Sequence, residues 1–327
     1  MIVKTAIKFE HVKKSFAGNL VVDDLNLNIA KGELFVLVGN SGSGKTTSIK
    51  MINRLEDPNS GQVLINGRPT TDYNVRNLRW DIGYVLQQIA LFPNMTVAKN
   101  IELIPEIKGE NKGKGKKMQN MVEELLQEVG LDPKAYFNRY PRELSGGEQQ
   151  RIGILRAIAS KPPIILMDEP FSALDPLSRT NLQDLVITLH QKLHNTIIFV
   201  THDMSEALKV ADRIGIMQNG RLIQADKPQE FLHHPENKFV RNFFRGSIGN
   251  NLFEMSLQQA VLLNQLKKDL EHTDSIPVIK ENVKFAQVLK LLNKVELIQV
   301  QDNGNRILGY IDRQWVIQYL NKINNFN

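Results

Sequence analysis

Short apolar runs separated by turn residues occupy the first stretch of the chain. IKFEHV (Ile7–Val12), VVDDLNLNI (Val21–Ile29), ELFVLVG (Glu33–Gly39) and QVLING (Gln62–Gly67) have strand length and end in turn-forming or polar residues. The spacing predicts four strands. Glu33 to Val38 is almost continuously apolar, as in a strand covered on both faces, and it runs straight into a glycine-rich turn. A helix over about Lys45 to Leu55 is expected next.

Farther along, the period lengthens. MxxMVxxLLxxV from Met118 to Val129 repeats at helical spacing and is followed by the turn-rich LDPKAYFNRYPREL, so a mostly helical subdomain is expected over about residues 91–160. Inside it, IKGENKGKGKK (Ile107–Lys117) is too rich in Gly and Lys to bury surface and reads as a mobile exposed loop. IILM (Ile164–Met167) and TIIFV (Thr196–Val200) are buried-type strands with a helix between them, the βαβ pattern of a parallel sheet. After His234-Pro235 the pattern changes to strand (IPVI), helix (KFAQVLKLLNK), strand (LIQVQ), turn (DNGN), strand (ILGYI) and helix (QWVIQYLNKI). We therefore expect a large domain over residues 1–235, a linker over 236–250 and a small unit over 251–327.

A chain of 327 residues has room for these two units, and its composition is that of a globular protein. Lys and Arg number 41 against 35 Asp and Glu, a net charge of +6 that permits weak attraction to nucleotides, nucleic acid or anionic headgroups and decides nothing. The absence of cysteine excludes disulfides, thiolate metal sites and cysteine nucleophiles, and fits a reducing compartment. No run reaches the roughly 18 apolar residues of a membrane span, and MIVKTAIKFEHVKK lacks a signal-peptide core. Any membrane role is then expected to be peripheral.

Three motifs carry chemistry. Gly39-Asn40-Ser41-Gly42-Ser43-Gly44-Lys45-Thr46 has the G-x-x-x-x-G-K-[ST] spacing of a phosphate loop: glycines let backbone N–H groups converge on an anion, Lys45 neutralises phosphate charge, and Thr46 offers an oxygen to Mg2+. Ile164-Ile165-Leu166-Met167-Asp168-Glu169 delivers two acids to the carboxyl end of a buried strand, where ligands sit in open α/β sheets. Asp168 is the candidate Mg2+ holder and Glu169 the candidate base for an attacking water. Leu144-Ser145-Gly146-Gly147-Glu148-Gln149-Gln150-Arg151 combines capping-box spacing at Ser145 and Glu148 with two glycines that leave first-turn amides open to an anion. Each motif alone has a purely structural reading; their order along one chain does not.

With LSGGEQQR standing between a phosphate loop and an acidic strand, residues 1–235 resemble the ABC ATPases. The resemblance implies an α/β P-loop fold with a mixed sheet core, an antiparallel β subdomain and a helical subdomain. It also implies a residue set. Phe16 would stack on adenine; Gln87, in IGYVLQQ, would touch Mg2+ or the attacking water and couple to a permease; Asp175, in SALD, would communicate between subunits; His202 would contact the γ-phosphate. Nucleotide binding would fall to Phe16, Gly39, Asn40, Ser41, Gly42, Ser43, Gly44, Lys45, Thr46 and Thr47, and to Ser145, Gly146, Gly147, Glu148 and Asp175; catalysis to Glu169, His202, Gln87 and Lys45; metal binding to Thr46, Gln87 and Asp168. ATP and Mg2+ are the implied ligands. The implied partners are a second copy arranged head to tail, integral-membrane permease subunits at the cytoplasmic face of the cell membrane and, indirectly, an extracytoplasmic solute-binding protein. Nucleic acid is not among them.

KMINRLEDPNSG, WDIGYVLQQIALFPNMTVAKNI and RYPRELSGGEQQRIGILRAIASKPPIILMDEPFSALDP are most similar to importers of osmoprotectants such as glycine betaine, carnitine or choline. Importers of methionine or an oxyanion are the rival reading. A soluble ABC ATPase of DNA repair or of ribosomes would show a coiled-coil insertion or two cassettes, and a non-hydrolysing regulator would not need Lys45, Asp168, Glu169 and His202 together. The tail resembles one cystathionine-synthase-type (CBS) module; residues 250–275 read as a helix where the first of a pair is expected, a shortened or decayed copy. The resemblance implies a regulatory nucleotide or ionic-strength sensor there, or a dimerisation appendage.

Overall fold

Thr5–Phe16 (β1) and Asn19–Ala30 (β2) bury alternate side chains, among them Ile7, Phe9 and Val12 on one and Leu25, Leu27 and Ile29 on the other, and pair antiparallel. Ser60–Ile65 (β4) and Arg68–Pro69 (β5) extend this sheet in the order β2-β1-β4-β5. The computed structural model describes residues 4–109, 115–172, 174–249, 257–268 and 276–324. They belong to two compact units, Met1–Asp226 and Lys227–Asn327.

A second sheet runs in the order β10-β9-β3-β8-β7-β6, built from Leu34–Gly39 (β3), Ile82–Val85 (β6), Ile164–Asp168 (β7), Thr196–Thr201 (β8), Arg213–Gln218 (β9) and Arg221–Asp226 (β10). The pairs from β9 through β6 are parallel, whereas β10 turns back antiparallel on β9. Every residue of β3, β7 and β8 is buried, as their unbroken apolar runs predict for strands covered on both faces. The antiparallel sheet, the helix Lys45–Ile52 and one face of the mixed sheet share a core cluster that includes Ile7, Leu25, Phe35, Ile49, Leu166 and Ile198.

Chain order and sheet order differ in a way that makes the site. The strand β3 lies between β8 and β9, both formed far later in the chain, so its carboxyl end is a switch point of the topology. The hairpin joining β9 and β10 turns through Asn219 and Gly220, both at positive φ, the two-residue geometry that matches strand twist. Gly220 N–H donates to Ser43 O at 3.2 Å and Gly220 O accepts from Asp23 N–H at 2.9 Å, so this turn braces the loop after β3.

Helices Val97–Lys108, Gly115–Glu128, Pro133–Tyr136 and Gly146–Ile158 occupy the expected helical stretch. The expected loop Ile107–Lys117 is shorter than its composition implied, because helices run through Lys108 and resume at Gly115; residues 110–114 lie outside the described residues. The helix after the phosphate loop ends at Ile52, not near Leu55.

In the second unit, Val278–Lys280 (β11), Leu297–Gln301 (β12) and Ile307–Asp312 (β13) form a sheet in chain order, parallel then antiparallel. Phe285, Trp315 and Tyr319, from helices Phe285–Leu292 and Arg313–Asn324, make its aromatic core, with Trp315 stacked on Tyr319 at 5.5 Å. Of the helix expected over 250–275, Leu257–Leu263 is helical, and residues 250–256 and 269–275 lie outside the described residues. The stretch 236–250 expected as a linker contains the helix Lys238–Gly249. Its Val240 and Phe244 are buried, with Phe244 stacked near Phe231, because apolar residues recur there every three to four positions.

Candidate active site

Gly39 and Gly44 hold the phosphate loop in a shape other residues resist. Both have positive φ, and a Cβ on Gly39 would lie 2.2 Å from Met217 O, while one on Gly44 would lie 2.6 Å from Val21 O. Asn40, Ser41 and Gly42 are exposed, and Ser43, Gly44 and Lys45 are buried. The helix begins at Lys45 with no side-chain cap, so its first amides point into the loop, with Thr46 and Thr47 in its first turn.

Lys45 is only 5% exposed, and its Nζ donates to Gly39 O at 2.7 Å and Asn40 O at 2.9 Å. Burial pushes its ammonium below the ordinary lysine range, against the attraction of Glu169 and Asp168. A buried cation bonded to neutral carbonyls and encircled by amides fits an oligophosphate.

At the same edge, Thr46 Oγ1 donates to Asp168 Oδ1 at 2.8 Å, and the Tyr84 hydroxyl lies 3.5 Å from Oδ2. Burial raises the Asp168 carboxyl, the hydroxyls of Thr46 and Tyr84 offsetting part of it. A serine-type oxygen and a carboxylate side by side are hard donors that suit Mg2+. Glu169 follows at φ 43°, a left-handed conformation sparsely used by residues with a Cβ, fixed by Glu169 N–H to Val200 O at 2.9 Å. Its Oε2 accepts from Gln87 Nε2 at 3.2 Å and lies 3.3 Å from His202 Nδ1. Since β7 sits between β8 and β6, the residues just past their carboxyl ends, His202 and Gln87, flank Glu169 from opposite sides. The site thus gathers a phosphate cradle, hard oxygens for a cation and a carboxylate held by two polar side chains.

A second group forms at the helix Gly146–Ile158. Ser145 caps it, Glu148 closes the capping box, and Gly147 lies against Ser178, whose Oγ a Cβ would meet at 3.2 Å; at Gly146 a Cβ would meet open space. Asp175 caps the helix Pro176–Leu193, accepting from Leu177 N–H at 3.1 Å and Ser178 N–H at 3.0 Å. Phe16 ends β1 with 41% of its surface exposed and Lys14 Nζ 4.8 Å from its ring centroid.

Sequence reading missed Tyr84 and the cluster behind His202. Glu206, 6% exposed, accepts from Thr201 Oγ1 at 2.6 Å and lies 3.8 Å from Arg179. The Arg179 and Tyr84 contacts join residues far apart in the chain and leave no local spacing to find; Thr201 and Glu206, five positions apart, match no motif read from the sequence. A weak clue for Tyr84 is its place two positions before the end of an apolar stretch leading to Gln87.

The family profile described as ABC transporter matches residues 22–172. The osmoprotectant import ATP-binding protein OsmV of Salmonella typhimurium is 41% identical over 317 residues, 94% of this chain and 79% of that protein. The glycine betaine/carnitine/choline transport ATP-binding protein OpuCA of Bacillus subtilis is 42% identical over 316 residues, 95% of this chain and 80% of that protein. The carnitine transport ATP-binding protein OpuCA of Listeria monocytogenes is 44% identical over 308 residues, 94% of this chain and 75% of that protein. Among solved structures, a dimeric post-hydrolysis state of the ATP-binding cassette MJ0796 bound to ADP and phosphate matches with TM-score 0.62 and 33% identity, covering 68% of this chain and 98% of that one. CbiO1 of Clostridium perfringens, part of an ABC transporter complex, matches with TM-score 0.63 and 25% identity over 76% and 97%. With its phosphate loop, acidic strand end and LSGGEQQR turn in this fold, the chain belongs to the ATP-binding proteins of ABC transporters.

Proposed function

We propose that this chain hydrolyses ATP to power import of a quaternary-amine osmoprotectant such as glycine betaine, carnitine or choline. The observation that carries the reading is Glu169, held between Gln87 and His202 one residue beyond the Asp168–Thr46 pair and beside the buried Lys45. The reaction is transfer of the γ-phosphoryl group to water. Glu169 accepts the proton of the attacking water, His202 and Gln87 fix its carboxylate, and Lys45 with the loop amides holds the β- and γ-phosphates. Thr46 and Asp168 would hold Mg2+, with Gln87 as a further oxygen donor, and the ion would neutralise phosphate charge. Phe16 stacks on the adenine.

Two copies work head to tail, each covering the other's nucleotide with Ser145, Gly146, Gly147 and Glu148, and Asp175 lies between the sites. Closure on ATP and reopening after hydrolysis drive integral-membrane permease subunits, with the chain peripheral at the cytoplasmic face and a solute-binding protein acting on the far side. Among the described residues no helix is long and apolar enough to cross a membrane. The solute follows the printed names of the relatives above. The second unit, with its strand–helix–strand–strand–helix order, acts as a partial CBS-like module that restrains the ATPase in response to an adenine nucleotide or ionic strength.

Vesicles carrying the chain with its permease and binding protein, loaded with ATP, test the reading. Uptake of labelled betaine, carnitine or choline is expected. Uptake of methionine or molybdate alone overturns the solute, and absence of ATP hydrolysis overturns the enzyme.

A further inference from the structure

The turn that carries Ser145 is held from outside its own helix. Glu148 stands in the first turn of Gly146–Ile158 with both carboxylate oxygens engaged. Its Oε2 accepts from the Ser145 N–H at 2.7 Å and from the Ser145 hydroxyl at 2.8 Å, and its Oε1 accepts from the Tyr136 hydroxyl at 2.5 Å. Tyr136 belongs to the separate short helix Pro133–Tyr136, and the Arg139 guanidinium covers its ring 4.4 Å from the centroid. The residues that follow are pinned to the start of Val97–Lys108: Val97 N–H donates to Arg139 O at 2.8 Å and Ala98 N–H to Phe137 O at 3.1 Å. A continuous set of hydrogen bonds therefore leads from the helix after the Gln87 stretch to Ser145.

We propose that Tyr136 is a positioning residue of the LSGGEQQR turn: through Glu148 it fixes Ser145 and the open first-turn amides in the orientation that receives the nucleotide of the second copy. The inference rests on the shared-site reading above. A carboxylate in the first turn suits a helix N-terminus but repels an incoming phosphate. Glu148 is compatible with that approach only while its charge and lone pairs are directed away, toward Ser145 and Tyr136. The Tyr136 bond also holds the Glu148 carboxyl below the usual glutamate range, so it stays an acceptor. Without the Tyr136 hydroxyl, Oε1 is released toward the approaching phosphate and Ser145 loses its fixed partner.

The test uses the full chain in a Glu169→Gln background, so that nucleotide is not consumed, and reads dimer fraction by light scattering against MgATP concentration. Tyr136→Phe is expected to raise the half-maximal ATP concentration about tenfold, the size of one charge-assisted hydrogen bond. At protein concentrations below dimerisation, its nucleotide affinity is expected to match the parent. In a Glu148→Ala background the same substitution is expected to add nothing, since its partner is gone. No shift, or an equal shift in both backgrounds, overturns the proposal. A parent that binds MgATP yet never dimerises overturns the shared site and this inference with it.

Discussion

Thr46 Oγ1 donates to Asp168 Oδ1 at 2.8 Å although the two residues stand 122 positions apart in the chain. The bond joins the helix of the phosphate loop to the carboxyl end of β7 and brings two oxygens side by side. Under the proposed Mg2+ set, removing one of them is expected to separate phosphate binding from metal binding.

Thr46→Val is expected to raise the Mg2+ concentration for half-maximal ATPase by roughly 10- to 100-fold, the range of a charge-assisted contact. Thr46→Ser keeps the oxygen and is expected to stay near wild type. Titrating Mg2+ at fixed ATP in the permease complex checks both, and an unchanged Mg2+ requirement in the valine variant removes Thr46 from the proposed metal set.

Glu169 sits at φ 43°, and Glu169→Gln keeps the side-chain length while removing the proposed proton acceptor. ATP binding is expected to persist, with turnover reduced by at least about 100-fold and a stable ATP-bound dimer accumulating. Single-turnover phosphate release measures it; hydrolysis at the wild-type rate refutes the base assignment.

Phe16 is exposed, so Phe16→Ala is expected to cost folding less than about 0.5 kcal/mol. Loss of an aromatic platform is worth about 1–3 kcal/mol per base, or roughly a 5- to 100-fold rise in KM for ATP with kcat retained. Phe16→Tyr is expected to restore it. Steady-state kinetics beside thermal melts separate the two effects, and an unchanged KM assigns Phe16 to the surface alone.

Glu206 gives a pH signature. Burial raises its carboxyl above the usual glutamate range, helped by Asp203 and opposed by Thr201 and Arg179. The folded state then binds the proton more tightly than the unfolded chain, so this stability contribution is complete below about 4.5 and is lost as pH rises through the raised folded value. Glu206→Gln cannot titrate, and its melting temperature is expected to fall less steeply over that window. Parallel slopes for variant and wild type contradict the assignment.

Trp315 is 1% exposed and stacked on Tyr319. Trp315→Ala is expected to cost the second unit about 3–5 kcal/mol while Met1–Asp226 keeps its own transition in calorimetry. Under the regulatory reading, the variant keeps its ATPase but loses the response to salt or adenine nucleotide; an unaltered response leaves the tail as an appendage.

Much of the fold was readable because burial on two faces writes itself as unbroken apolar runs: β3, β7 and β8 stand where ELFVLVG, IILM and TIIFV predicted. The hairpin β9–β10 was not anticipated, although Asn219-Gly220 between two apolar stretches is a strong hairpin signal. Helix Lys238–Gly249 stands where a linker is expected after His234-Pro235; the paired apolar residues Phe239-Val240 and Phe243-Phe244, four positions apart, are the local signal for it. At the site, Lys45, Thr46, Asp168 and Glu169 are singled out by their motifs, and Gln87 and His202 by the family resemblance; the structure gathers the six at one edge of the sheet. Tyr84, Tyr136, Arg179 and Glu206 are not singled out, because each acts across elements whose proximity only the sheet order and helix docking create.

The placement of β3 between β8 and β9 reaches back to how the protein is made. On the ribosome, Leu34–Gly39 emerges with both edges unpaired and every side chain apolar, and neither neighbour exists until Thr196–Thr201 and Arg213–Gln218 have been synthesised. The brace from Gly220 to Ser43 comes later still. A nascent chain stalled before that hairpin presents an apolar strand with unpaired edges, a template for aggregation.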